Sequence, residues 1–170
     1  AAAAAVASGP DIIFAANTDP SLAAKSATRS IPVVFAGVGD PIGVGLVAGL
    51  PRPGGNVTGT SYWASTEVFA KHFQILKELA PRTDRVAVPW NATFSDSPLA
   101  QAILAVQKRA ATQLGMTVHF FDFRQPEDVP AMLNAIAASG IKAVFYSGDP
   151  ILRTRTAEII EAEKSFARRY

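Results

Sequence analysis

Apolar runs alternate with stretches of helical period along this chain. "DIIFAA" (11–16), "IPVVFAG" (31–37), "RVAVPW" (85–90), "MTVHFFDF" (116–123) and "KAVFYSG" (142–148) predict strands, and "NVTGTS" (56–61) predicts a short extended piece. "PSLAAKSAT" and "PIGVGLVAGL" follow the first two strands and read as helical. Between 66 and 79, Phe69, Phe73, Leu76 and Leu79 fall at helical spacing. Between 98 and 114, Ile103, Val106, Ala110 and Leu114 share one face, and Gly115 is a natural stop. "PEDVPAMLNAIAASG" predicts a helix ending at Gly140, and residues 151–170 predict an amphipathic helical end. Mostly apolar strands, each followed by a helix, predict an α/β fold with doubly wound parallel sheets. "LPRPGGNVTG" is the sharpest break in composition and predicts a boundary between two lobes.

The strand-to-helix turns resemble one another. They read "FAANTDP" (14–20), "FAGVGDP" (35–41), "PWNATFSDSP" (89–98) and "FYSGDP" (145–150). An Asp or Ser before Pro suits a helix start, because the side chain accepts from orphan backbone N–H groups and Pro needs no partner at the first helical position. Asp19, Asp40, Ser97 and Asp149 are therefore expected N-caps. Each alone is usually nothing more than a cap. Together they gather at the carboxyl edge of a parallel sheet, where open α/β sheets bind ligands. The small polar residues beside them, Asn17, Thr18, Gly39, Asn91, Thr93, Ser95 and Ser147, are expected to line a crevice.

Composition narrows the chemistry. The chain has 170 residues, 49% hydrophobic and 18% charged, which suits packed globular structure. No apolar run approaches the ~18 residues of a membrane span. A net charge of +2, with basic residues scattered apart from Arg168 and Arg169, gives no electrostatic footprint for nucleic acid. Cysteine is absent, which removes thiolate chemistry and Cys-based metal sites. The chain opens on alanines without a basic leader and reads as processed or truncated, with Ala1–Ala5 continuing an incoming helix.

Phosphate and catalytic machinery find no support. From Gly37 the glycine spacing is one residue too long for a dinucleotide fingerprint. "GVGLVA" from Gly43 fits the relaxed form, but inside a presumed helix. None of the four turns carries Lys or Arg. His72 falls on a helix and His119 in a strand, away from the carboxyl edge, and no G-x-S-x-G elbow exists. No cofactor is called for. Trp90, Phe94, Tyr146, Tyr62 and Trp63 fall at or near strand ends, and aromatic walls with a few polar groups hold small organic ligands.

"IPVVFAGVGDPIGVGLVAGLPRPGGNVTGTS" resembles the signature region of the ABC-transporter substrate-binding family that includes tryptophan-binding proteins. "KHFQILKELAPRTDRVAVPWN" is similar to the family's next block, and the resemblance runs from about Val6 to about Ile160. It implies a type 1 periplasmic-binding fold, with two doubly wound lobes and a small-molecule ligand between them. By domain-size reckoning the family is about twice this length, so this is a partial chain. Residues 1–58 would be the C-terminal part of lobe one, residues 59–170 most of lobe two, and "NVTGTS" the first hinge crossing. The resemblance places Thr18, Asp40, Asn91 and Asp149 on cleft motifs. With Asn17, Phe94 and Ser95 they form the expected ligand-binding set. "NTDP" replaces a shorter turn common in the family, and Pro89 stands where an apolar strand residue is usual, so a relative's ligand does not transfer directly.

The resemblance implies an extracytoplasmic solute-binding protein, periplasmic or lipid-anchored, that hands its ligand to an ABC permease. It would not be an enzyme, would not span the membrane and would bind no nucleic acid. The alternative is the effector domain of a transcription regulator, which uses the same two-lobed fold.

Overall fold

The computed structural model describes residues 2–167. The chain divides into two compact units after Val68. The expected boundary at 58/59 falls inside a strand, because the residues that follow the Pro/Gly-rich loop complete the first sheet.

The first unit opens with α1 (Ala2–Ala7) and holds three parallel strands, β1 (Ile13–Ala16), β2 (Val33–Gly39) and β3 (Val57–Trp63), in that order. Helix α2 (Thr18–Ala27) links β1 to β2. One sheet face carries Ala15, Val33, Phe35 and Val57 and packs against Ala24 of α2 and against Leu46 and Val47 of the loop after β2. Phe14, with alternate side-chain direction, is 69% exposed.

The second unit is doubly wound. It contains α3 (Val68–Leu79), β4 (Arg85–Asn91), α4 (Pro98–Gln113), β5 (Thr117–Phe123), α5 (Val129–Ala138), β6 (Ala143–Val144), α6 (Pro150–Thr154) and α7 (Thr156–Ala167). The parallel sheet has the order β5-β4-β6. Central β4 is buried from Val86 to Asn91 because both its faces are covered. Val86 and Val88 pack with Phe73 of α3 and with Ala110 and Ala111 of α4. Ala87 meets Val129, Met132, Leu133 and Ile136 of α5 from the other side. That is why the strand reads as a continuous apolar run in the sequence.

Two elements differ from expectation. Residues 41–50 form a turn and loop, not a helix. One α-helical bond, Val44 N–H to the Asp40 carbonyl at 3.0 Å, is followed by a 3₁₀-type bond from Gly45 N–H to the Ile42 carbonyl at 2.9 Å, and then Leu46 and Val47 N–H both donate to the Pro41 carbonyl. Gly43 and Gly45 disfavour helix by about 1 kcal/mol each, and Gly45 takes φ 72°. The strand expected over 142–148 shrinks to Ala143–Val144, extended by one bond from Phe145 N–H to the Ala87 carbonyl at 2.8 Å. The helical end divides at Arg155 into α6 and α7, and the Arg168–Arg169 pair lies outside the described residues. Among the described residues, no helix is long and apolar enough to cross a membrane.

Candidate functional site

At the carboxyl ends of the first sheet the backbone is strained. Asn17 has φ 68° and Asp40 has φ 46°, the two non-glycine positions with positive φ among the described residues. Such conformations cost of order 1–3 kcal/mol and gather at functional sites. Asn17 is pinned through its main chain: its N–H donates to the Ala36 carbonyl at 2.8 Å, and its carbonyl accepts from Ser21 Oγ at 2.6 Å. Asn17, not Asp19, stands at the start of α2, and its side chain makes no cap bond. Thr18 opens the helix and Asp19 falls in its first turn. Asp40 is held on both sides. Its N–H donates to the Trp63 carbonyl at 3.1 Å, and its Oδ1 accepts from Gly43 N–H at 2.9 Å. Asp40 therefore closes a tight turn instead of capping a helix. Gly43 is needed there, since a Cβ on it would overlap the Asp40 carboxylate.

In the second unit, four expected site residues gather at the end of β4. Asn91 Nδ2 donates to Asp149 Oδ2 at 2.9 Å. Asn91 Oδ1 accepts from Thr93 N–H at 3.0 Å and from Thr93 Oγ1 at 2.6 Å, ordering the short 3₁₀ turn Ala92–Phe94. Asp149 Oδ1 accepts from Ile151 N–H at 2.7 Å and caps α6. Asn91 and Asp149 are both 8% exposed. Trp90 Nε1 donates to Ser95 Oγ at 2.9 Å, and the Phe94 ring lies 5.6 Å from the Trp90 ring, tilted by 55°. Phe94 is 42% exposed and so offers apolar surface at this edge. Ser97 Oγ accepts from Ala100 N–H at 3.1 Å, the expected cap of α4.

The structure thus places Asn17, Thr18 and Asp40 at the carboxyl edge of the first unit. Asn91, Phe94, Ser95 and Asp149 lie at that of the second. The chemistry on offer is hydrogen bonding, carboxylate charge and aromatic surface. The "GVGLVA" stretch is turn and loop, without the strand–turn–helix context a dinucleotide fingerprint requires. His72 is exposed and packs edge-on against Phe69, while His119 sits mid-strand opposite Ala87 with Nε2 buried and unpartnered. Tyr146 is held neutral: burial first, and then the charge of Glu163, push its phenol up to about 12.

One feature of the first unit involves two strand-end aromatics that stand outside the expected ligand-binding set. Tyr62 and Trp63 end β3 with their rings 6.0 Å apart and inclined by 26°. Tyr62 is 63% exposed. The sequence signal was the Tyr-Trp pair itself, together with two glycines, Gly37 and Gly39, at the end of the neighbouring strand.

Residues 1–165 match the family described as "ABC transporter substrate binding protein". The chain belongs to that family. A tyrosine-binding protein of Clostridioides difficile (strain R20291) is 37% identical over 89 residues, covering 52% of this chain and 25% of that protein. Among solved structures, a conserved domain protein from Vibrio cholerae superposes with a TM-score of 0.74 at 28% identity, covering 97% of this chain and 53% of that one. A ligand-free, open substrate-binding protein with adhesive properties from Clostridium difficile gives 0.58 at 26% identity, covering 98% and 52%. An ABC domain in complex with L-Trp from Streptococcus pneumonia gives 0.72 at 24% identity, covering 97% and 55%, and shares the fold. The fold is the type 1 periplasmic-binding one, and the chain spans about half the length of these solved relatives. Substrate-binding family membership leaves the transcription-regulator alternative without support.

Proposed function

We propose that the chain is the ligand-recognising part of an extracytoplasmic solute-binding protein that delivers a small organic molecule, an amino acid, to an ABC permease. The observation that carries this is the family match over residues 1–165. The tyrosine-binding relative supports the ligand class. Residues 1–68 would belong to lobe one and residues 69–170 to lobe two. Asn17, Thr18 and Asp40 from the first unit, with Asn91, Phe94, Ser95 and Asp149 from the second, are the proposed ligand contacts. Asn91 and Asp149 spend much of their hydrogen-bonding capacity on each other, on Thr93 and on backbone, so they meet the ligand through the remaining edge of that polar pair. Asp40, with one carboxylate oxygen committed to Gly43, keeps the other for a ligand amine.

The protein binds without turnover. Its carboxyl edges offer acceptors and apolar surface, and His119 sits mid-strand, opposite Ala87. Titration calorimetry of the complete protein with L-tyrosine, L-tryptophan and L-leucine, followed by mass spectrometry of the recovered ligand, tests both halves. A micromolar dissociation constant, about 8 kcal/mol, with ligand recovered unchanged is the expected result. Chemical conversion of any bound compound would overturn the non-enzymatic reading.

A further inference from the structure

The ladder between β2 and β3 slips twice near its carboxyl end. Ala36 pairs with Thr60, Val38 with Ser61 and Gly39 with Trp63. One residue of β2, Gly37, therefore has no counterpart, and one step later neither has Tyr62 of β3. The two unmatched residues meet each other. Gly37 adopts φ 69°, and a Cβ built on it would lie 3.0 Å from the Tyr62 ring and hydroxyl. Gly39 makes the same allowance for Trp63, whose ring its Cβ would strike. Paired irregularities of this kind keep the rest of the register while re-aiming one side chain, and they concentrate beside functional sites.

The side chain re-aimed here is a large aromatic that stays 63% exposed, at the same strand ends as Asp40. A tyrosine left mostly in water gains little for folding. Its neighbour Trp63 lies beside it, with ring centroids 6.0 Å apart and planes inclined by 26°. The turn beyond is tied to the same spot, since Asp40 N–H donates to the Trp63 carbonyl. An exposed ring face at the strand end that also carries the Asp40 carboxylate suits a planar apolar group that carries an amine.

We infer that Tyr62 is a ligand-contacting residue that selects for a planar ring, and that Gly37 is its positioning residue. This rests on the proposed solute-binding function. The test uses the complete protein with L-tyrosine and L-leucine as probes, measured by calorimetry, with thermal melts of every variant. Tyr62→Ala is expected to weaken L-tyrosine binding about fivefold or more while leaving L-leucine binding within about twofold, the difference being the stacking contribution. Tyr62→Phe keeps the ring and is expected to bind L-tyrosine within about twofold of the unsubstituted protein. Gly37→Ala leaves Tyr62 in the sequence but crowds its ring, and is expected to shift selectivity in the same direction as Tyr62→Ala. Unchanged L-tyrosine affinity in Tyr62→Ala, or equal loss for both probes, would overturn the inference and leave the solute-binding function standing. Failure of the unsubstituted protein to bind either amino acid would instead strike the amino-acid reading itself, and this inference with it.

Discussion

Asn91 and Asp149 lie 58 positions apart, yet the amide of one donates to the carboxylate of the other at 2.9 Å inside the second unit. The contact ties the end of β4 to the start of α6. Each partner also orders its own turn, Asn91 through Thr93 and Asp149 through Ile151. Asp149→Ala should therefore lose a cap and strand a buried amide, lowering stability by about 2–4 kcal/mol. Asp149→Asn keeps an acceptor for the cap and should lose less. A double-mutant cycle with Asn91→Ala, read by urea denaturation, should show a coupling of about 0.5–3 kcal/mol. Strict additivity would mean that the two turns are stabilised independently.

Gln107 is fully buried on α4, and neither its amide nitrogen nor its carbonyl oxygen finds a hydrogen-bond partner. Unpaired buried amides cost about 1–3 kcal/mol in proteins. Methionine has nearly the same shape and no such penalty. Gln107→Met should raise the melting temperature, with a gain of about 1–3 kcal/mol. A lower melting temperature would show that the amide is satisfied, for example by ordered water.

What was legible in the sequence follows from how local each cause is. Ser97 and Asp149 cap helices as expected, because a cap needs only its own residue and the next three. β4 was legible because burial on both faces writes itself as an apolar run. At Asp40 the Asp-Pro pair alone points to a helix cap, but the backbone cost of Gly43 and Gly45 breaks the helix after one turn. Asp19 failed similarly: Asn17 takes the left-handed backbone, so α2 starts at Thr18, one residue ahead of the Asp. The Asn91–Asp149 bond was out of reach, since it depends on β6 lying next to β4. The Gly37–Tyr62 slip is a matter of register, which no periodicity records.

Tyr146 gives a pH signature. Its hydroxyl is buried without a partner, and its phenol is raised from 10.0 to about 12, by burial and then by Glu163. The folded protein therefore holds this proton more tightly than the unfolded chain does. The stabilisation from the neutral phenol is complete below pH 10 and is lost as pH rises from about 10 to about 12. Tyr146→Phe should remove that part of the alkaline decline and leave stability near neutral pH unchanged or higher. Denaturation midpoints of both proteins between pH 8 and 12 check this. Parallel profiles would mean that Tyr146 ionises freely in the folded protein.

Asp40 combines a strained backbone with a turn-closing oxygen, and the proposed function gives its second oxygen to the ligand; substitution separates the three. Asp40→Asn keeps the acceptor for Gly43 N–H and tolerates positive φ, so stability should change by less than about 0.5 kcal/mol. Asp40→Ala loses the acceptor and suits the left-handed region poorly, so it should cost about 1–2 kcal/mol. Gly43→Ala should displace the carboxylate without removing it, because the new Cβ would occupy its place. If Asp40 meets the ammonium of an amino-acid ligand, Asp40→Asn should weaken L-tyrosine binding by about 2–5 kcal/mol despite its intact fold. Gly43→Ala should follow it in part. Calorimetry beside thermal melts resolves the two effects, since one variant keeps its stability while losing affinity. An Asp40→Asn protein that binds L-tyrosine like the unsubstituted one would confine Asp40 to the turn and take it out of the ligand contacts.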